Sequence, residues 1–453
     1  MKKFKYITII ISLLTFSFVG CDDNLDIEPE QSLSPSAALA NSANVKKILN
    51  NAYGVARDNG SYGGGIALAS ELIADAGYPN GSLYWNGTYT GPAEFWEKAM
   101  LPDNGFVTGI WLNAYEINNL ANIVLANLDV FADSDEKAIT EGEAKFLRGL
   151  AYFDLGRLFS KRYVSGQQNN QLGVPIVLTA ILDPNDIESP SRNTLDEVYD
   201  QVISDLTSAY NLLPYSNGIY ATKESAAALL ARVYLQKGDY SNALAMANDV
   251  IENGNAQLTS TFADAFNNDG NSSEDIFAWQ VTSQDNSSND FNTFWASQDY
   301  GGRSGNPDVE VYNWDIYDDG GDARYDFFYE GDWWCTTKWQ NQFGNIPFLR
   351  LAEMYLIRAE CNERDGSSVG DTPLNDINTI RARSNAIEFE VVDLETILME
   401  RKRELAYEGF ALFDAKRLGE SSGEFSYDAD NVILPIPQRE MDANPNLTQN
   451  SGY

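Results

Sequence analysis

Hydrophobic positions recur at helical spacing over much of the chain. From Trp111 to Leu128, residues Leu112, Tyr115, Ile117 and Leu120 follow the three- and four-residue steps that place side chains on one helix face. Glu143 to Ser160 sets Leu147, Leu150, Ala151, Leu155 and Leu158 along one stripe, with Lys145, Arg148 and Arg157 elsewhere. A third helix is predicted over Thr194 to Leu213, where Thr194 stands as N-cap and Glu197, three residues on, completes a capping box. Ala226 to Asn253 reads as two helices, lined by Ala227, Leu230, Ala231 and Tyr234 and then by Ala243, Ala247 and Val250, with a turn at Gly238-Asp239-Tyr240. Small residues at the crossing suggest a tetratricopeptide-like hairpin. A further pair is predicted over Phe348 to Glu363 and Pro373 to Arg383. Stacked pairs of this kind bury a continuous core and form a curved scaffold.

Two stretches, near residues 60–105 and 267–345, lack this period and are rich in Gly, Asn, Asp, Ser and aromatics. They are too long for simple connectors, and such loops in a compact fold usually carry function. Trp85 and Trp96 lie in the first stretch and Trp279, Trp295, Trp314, Trp333, Trp334 and Trp339 in the second, so of 9 tryptophans only Trp111 falls outside. Aromatic rings stack on the C–H faces of sugars, while Asn, Asp, Gln and Arg hydrogen-bond the hydroxyls. On that chemistry Tyr84, Trp85, Trp295, Tyr300, Trp333 and Trp334 are candidate stacking faces. Asp75, Asn86, Asn292 and Arg303 are candidate hydroxyl partners. A loop tryptophan serves as readily to anchor its loop in the core. Neighbours in an extended segment point to opposite faces, so at most one of Trp333 and Trp334 need meet a ligand.

Charge narrows the function classes. The chain has 31 Lys plus Arg against 66 Asp plus Glu, a net of −35. Without the three lysines of the first 20 residues the count is 28 against 66, a net of −38. So acidic a chain will not hold a polyphosphate backbone, which excludes nucleic acid as a general partner, and it disfavours anionic polysaccharides. No histidine occurs. The commonest general base, the usual zinc ligand and every Ser-His or Cys-His nucleophile pair are therefore missing. No cofactor is expected. Asp315, Asp318, Asp319 and Asp322 lack the alternation of an EF-hand, as does Asn267-Asn268-Asp269-Gly270-Asn271, which leaves only opportunistic calcium binding. Gly63-Gly64-Gly65 and Gly301-Gly302 read as flexible turns without nucleotide-binding spacing. A glycosidase needs only two suitably separated carboxylates, and the acidic residues leave that alternative open.

At the N-terminus Lys2, Lys3 and Lys5 precede an uncharged run from Tyr6 to Val19, the layout of a secretory signal over residues 1–20. Ser17-Phe18-Val19-Gly20-Cys21 looks like a bacterial lipobox, which makes Cys21 the lipid anchor. Asp22, Asp23, Asp26, Glu28 and Glu30 follow as a solvated linker, over 21–35, and residues 36–453 form the functional domain. The two remaining cysteines, Cys335 and Cys361, form either one disulfide or two buried thiols.

Several longer stretches carry a family likeness. They include Leu25-Asp26-Ile27-Glu28-Pro29 after the cysteine, Ala144-Lys145-Phe146-Leu147-Arg148 through Tyr152-Phe153-Asp154-Leu155, and the Gly238 hairpin. Leu349 to Glu360, Glu400 to Glu404 with Glu408-Gly409 and Asp414 to Arg417, and the tail Leu434-Pro435-Ile436-Pro437-Gln438 with Asn444-Pro445-Asn446 to Asn450 complete the set. In these the sequence resembles the SusD/RagB group of outer-membrane lipoproteins over essentially its whole length. The resemblance implies an all-α, SusD-like fold: about four tetratricopeptide-like helix pairs with the loop-rich irregular region packed on them. It implies capture of an oligosaccharide, or of a peptide in the RagB branch, and delivery to a SusC-like TonB-dependent transporter without catalysis. It also implies a lipid-anchored protein of the outer membrane, facing the cell exterior, with a lid-like motion at release. Glu353, Arg358, Glu400, Arg403 and Glu408 then read as helix–helix ion pairs, of small worth wherever they are exposed. The abundance of Trp and Tyr favours glycan over peptide.

Overall fold

The structure, a computed structural model, describes residues 39–77, 81–284, 289–312, 316–317, 321–330 and 333–453. The leader, Cys21, the 21–35 linker, Trp314, Asp315, Asp318 and Asp319 lie outside the described residues. In chain order the helices are α1 (Ser42–Arg57), α2 (Gly65–Ala74), α3 (Thr90–Glu97), α4 (Gly105–Ala126) and α5 (Ser134–Phe159). Then come α6 (Leu195–Leu212), α7 (Lys223–Lys237), α8 (Tyr240–Asn253) and the short α9 (Asp290–Trp295). The C-terminal third holds α10 (Leu351–Asp365), α11 (Pro373–Arg383), α12 (Leu394–Leu405), α13 (Ala411–Leu418) and α14 (Gln438–Ala443). The larger helices pack in series: α1 on α4, α4 on α5, α5 on α6, α6 on α7, α7 on α8 and α8 on α10, with α10 also meeting α11 and α12. The protein is all-α, with the serial stacking of a helical repeat.

Local chemistry sets the helix ends. Thr194 and Glu197 form the expected capping box at the start of α6. Gly238 closes α7 in the left-handed region (φ +72), which only glycine adopts freely, and Asp239 caps α8 through the Asn242 N–H. Helix α5 begins at Ser134, well before the predicted Glu143, because its first turns are polar and carry no apolar stripe. Asp133 caps it by accepting from the Asp135 and Glu136 N–H groups. Phe348 to Arg350, read as helix from the sequence, are strand. Segment β2 (Asp275–Trp279) pairs antiparallel with β6 (Ile346–Arg350), and the helix starts at Leu351.

The first irregular stretch also contains regular structure. Helix α2 is buried from Gly65 to Ile73, and a helix covered on all sides shows no amphipathic period. The glycines before it are not flexible. A Cβ on Gly63 or Gly65 would run into the carbonyls of Arg57 and Asn59, and one on Gly64 (φ +136) would come within 2.7 Å of Asp290 Cβ. This close packing seats α9 of the second stretch on the loop before α2, where the Asp290 N–H donates to the Gly63 carbonyl at 2.7 Å.

The ion pairs are buried rather than exposed, which corrects the small value expected for them. Arg350, at the end of β6, reaches Glu274 at 2.5 Å, Glu404 at 3.0 Å and Glu408 at 2.7 Å. Arg324 reaches Asp322 at 2.8 Å, Glu400 at 2.7 Å and Glu404 at 3.3 Å. Arg381 meets Glu400, Arg383 meets Glu404, and Lys338 meets Glu408 at 2.6 Å. Five cations thus face five carboxylates out of water, which joins the second irregular stretch to α11 and α12. Burial alone would raise the Glu404 carboxyl, but Arg383, Arg350 and Arg324 overcome it and hold it below the usual range. Arg232–Glu353 at 2.7 Å and Arg358–Asp376 at 2.6 Å tie helix to helix elsewhere. Cys335 and Cys361 are both buried thiols and form no disulfide.

Two outcomes follow. Replacing Arg350→Ala removes the cation shared by three buried carboxylates, leaving them only Arg324, Arg383 and Lys338, and should cost about 3–5 kcal/mol in denaturant unfolding. Arg350→Lys should recover little of this, because a point charge cannot reach all three. The second concerns pH. Burial raises Glu71, Glu143, Asp275 and Asp290 to about 7. Each takes up its proton more readily folded than unfolded, so stability falls as pH rises from about 4.5 through 7. Lys416, lowered to about 7 by burial, acts oppositely, but only between about 7 and the ordinary lysine range; burial lowers Lys98 and Lys338 as well. Below the carboxylate range the lowered Glu404, Glu360 and Asp414 lose their ionic contribution. Thermal melts across pH should therefore show a maximum on the acid side of neutrality, with lower midpoints at pH 8 and at pH 3.

Candidate functional site

The two irregular stretches meet through β1 (Leu83–Trp85) and β3 (Val309–Val311), which pair antiparallel with Trp85 opposite Val309 and Tyr84 opposite Glu310. Strand alternation turns Leu83 and Trp85 inward and leaves Tyr84 half-buried on the other side, edge-on to Trp96 with centroids 5.0 Å apart. A hairpin of β4 (Phe328–Glu330) and β5 (Trp334–Thr336) lies beside β3. One face of the molecule is thus built from both stretches and fixed to the helical scaffold by the ion network.

Several expected ligand contacts are instead structural. The Asp75 carboxylate accepts from the N–H groups of Gly77, Ser82 and Leu83 at 2.8, 2.6 and 3.0 Å, so it closes its own loop and is buried. Asn292 is fully enclosed and donates to the carbonyls of Tyr300 and Trp339 at 2.9 and 2.8 Å. Trp295, 1% exposed, packs on Tyr407 with centroids 5.4 Å apart and anchors α9 to the scaffold. Trp85 is buried against Phe294. None of these four presents a ring face or a polar group to the surface. Loop residues that order a long segment must find backbone and core partners, and these four do so.

Of the other candidates three are displayed, while Tyr84, Asn86 and Arg303 are half-buried. Tyr300, Trp333 and Trp334 are between 36% and 44% exposed, so both neighbouring tryptophans reach the surface. Tyr300 stands edge-on to Tyr329, with centroids 5.1 Å apart, in a loop that Asn292 and the Gly302 N–H hold in place. Asn86 donates to Glu310 at 3.2 Å, and its N–H donates to the Asp308 carbonyl at 2.7 Å. Arg303 donates two hydrogen bonds to Asp308, at 2.7 and 2.9 Å, and a third to the Thr88 hydroxyl at 3.2 Å. Its guanidinium lies 4.2 Å from the ring centre of Tyr89. The hydrogen bond from Arg303 to Asp308 raises the guanidinium further above its ordinary value, so it stays charged.

Tyr89 and Tyr325, both exposed, were missed by the sequence reading. The signal for Tyr89 was available. Asn86 to Tyr89 is an uncharged run ending just before α3, and an aromatic at such an entry stays on the solvent side when the helix turns inward. Among the described residues the exposed Tyr and Trp side chains are Tyr89, Tyr215, Tyr300, Tyr325, Trp333 and Trp334, and all but Tyr215 belong to the two loop stretches. A groove of about 410 Å³ lies elsewhere, at the turn between α7 and α8. Its tyrosine faces are already taken: Tyr163 by Tyr199 and Lys237, and Tyr240 by Arg364. The loop face is the better candidate.

Residues 23–235 match a family model described as starch-binding associating with outer membrane, and residues 236–432 match the SusD family. The chain is 29% identical to SusD-like protein P2 of Formosa agariphila, over 100% of both chains. It is 32% identical over 123 residues to the starch-binding protein SusD of Bacteroides thetaiotaomicron, which covers 24% of this chain and 22% of that protein. A solved SusD superfamily structure from the same species superposes with a TM-score of 0.79 at 25% identity, covering 90% of this chain and 99% of the other.

The division between anchors and displayed rings is open to direct measurement. Trp295→Ala empties a core site and should cost about 3–5 kcal/mol in denaturant melts. Trp333→Ala and Trp334→Ala should each stay within about 0.5–1 kcal/mol of the parent. A Trp334 variant as damaging as the Trp295 variant would show that the hairpin tryptophan is a core residue.

Proposed function

The chain belongs to the SusD/RagB family of outer-membrane-associated proteins, and on that premise we propose that it captures a neutral or weakly charged oligosaccharide at the cell surface without altering it. One observation carries this reading: the exposed aromatic rings concentrate on two loop stretches that the scaffold holds rigid. Such a surface gives sugar rings faces to stack on and loses little entropy on binding. Tyr89, Tyr300, Trp333 and Trp334 supply the rings, with Asn86 and Arg303 at the edge for hydroxyls. The net charge of −35 favours uncharged sugars over anionic ones.

Asp299, Asp326 and Glu330 are exposed on this face, but two of its acidic groups, Asp308 and Glu310, are withdrawn from any hydrolytic role. Asp308 is buried and held by Arg303, and Glu310 is buried and accepts from Asn86. A glycosidase needs two carboxylates open to the scissile bond, one of them protonated, and these two are committed to partners. Cys21 carries the lipid that tethers the protein to the outer membrane, on the exterior side. The captured sugar then passes to a SusC-like TonB-dependent transporter.

The test is calorimetry of the chain from residue 22 onward with neutral glycans, acidic glycans and peptides, with product analysis on the same samples. Binding of a neutral glycan with no cleavage is expected. Trp333→Ala or Trp334→Ala should weaken it about 10- to 100-fold, on the scale of a lost aromatic anchor. Peptide binding would move the protein to the RagB mode, and cleaved products would overturn the reading.

A further inference from the structure

The connection between α5 and α6 combines a fixed backbone with an apolar exterior. Residues 171–182 contain no charged side chain, in a chain of net charge −35. Side chains of α4 and α5 hold the strap by its backbone. Asn119 exchanges two hydrogen bonds with Ile181, at 2.9 and 2.8 Å, Asn122 donates to the Val177 carbonyl at 2.9 Å, and Tyr152 bonds both Val177 backbone groups. Asn444 donates to the Pro190 carbonyl at 2.8 Å and fixes the far end. With its backbone so held, the strap displays Leu178, Leu182 and Ile187, the last 62% exposed. Apolar side chains on a rigid surface mark an interaction site.

The surrounding charge selects the occupant. Asp183, Asp186 and Glu188, all exposed, border Leu182 and Ile187. A second copy of this chain would bring the same acidic border against them. The acidic N-terminal linker and an anionic membrane surface are repelled in the same way. A protein with an apolar centre and a cationic rim is attracted. The strap also lies at the end of the molecule where the described residues begin. Helix α1 runs antiparallel to α4, since Asp58 after its end meets Asn113 and Lys46 near its start meets Glu136, each at 3.0 Å. The described chain therefore enters beside the C-terminal half of α4, the half that carries Asn119 and Asn122.

We propose that the 171–188 strap is the surface by which this protein docks on its outer-membrane transporter, through an apolar centre on that partner ringed by lysine and arginine. The identity of the partner rests on the capture reading above; the location of the surface does not. Single cysteines provide the test, because Cys335 and Cys361 are buried. Leu182→Cys and Ile187→Cys, with Val391→Cys as an exposed control, would be made in the full lipidated chain in its own bacterium. Each would be labelled with a thiol-directed photocrosslinker, and adducts identified by mass spectrometry. The expected result is an adduct with a TonB-dependent β-barrel protein at both strap positions, at least about tenfold above the control. Reversing the border with Asp183→Lys, Asp186→Lys and Glu188→Lys should lower the yield about tenfold, with glycan binding of the soluble chain unchanged. Adducts with lipid, with a second copy or with residues 22–38 would overturn the proposal. So would an equal yield at Val391, or no adduct at the strap. Failure of the soluble chain to bind any glycan would overturn the capture reading alone, since the crosslinks are read independently.

Discussion

The ionic network around Arg350 and Arg324 is the constraint on which the other parts of the fold depend. Each of its charges, taken alone, would be too costly to bury. Together they form a set in which Glu274, Asp322, Arg324 and Lys338 come from the second irregular stretch and the others from β6, α11 and the α12 region. The second stretch buries Trp279, Phe291, Trp295 and Trp339 in the core, but non-directional hydrophobic contact does not by itself fix its position. Here it is held because any displacement would leave a charge unpaired in a low-dielectric interior. That requirement fixes where α9, β3 and the β4–β5 hairpin lie.

From that constraint follows the difference between the two sets of loop aromatics. Trp295 and Trp339 point toward the scaffold and meet Tyr407, the first by ring contact and the second by an indole hydrogen bond to its carbonyl. Trp333, Trp334 and Tyr300 lie farther along the same loops, where the backbone is already fixed, and remain on the surface. The inner rings and the network order the loops during folding. The outer rings are then presented without a large entropy loss left for binding.

Polar side chains perform a similar service elsewhere in the fold. Asn119 and Asn122 on α4, Tyr152 on α5, and Arg192 and Asn450 near the tail satisfy the backbone of connections that have no strand partner. The asparagine-rich C-terminal tail matters for this reason. Asn444 and Asn446 donate to the carbonyls of Pro190 and Ser189. Short amides substitute for a sheet ladder, and the strap they hold displays apolar side chains that a mobile loop would turn inward.

The helical scaffold was legible in the sequence because period and caps are local. The stripe from Leu147 to Leu158, the Thr194–Glu197 box and the Gly238 turn each fix their own element, and the tail and helix signatures carried the family resemblance. The residues with no local signature were misread. Helix α2 is buried all round, the first turns of α5 carry no apolar stripe, and Phe348 to Arg350 depend on a strand more than 60 residues away. The candidate site divided in the same way. Its aromatic richness could be read along the chain, but which rings face solvent was decided by tertiary packing. Trp295 and Trp334 have similar neighbours in sequence and opposite fates in space. The difference lies in Tyr407 and the buried charges beside it, and those contacts exist only once distant segments have come together.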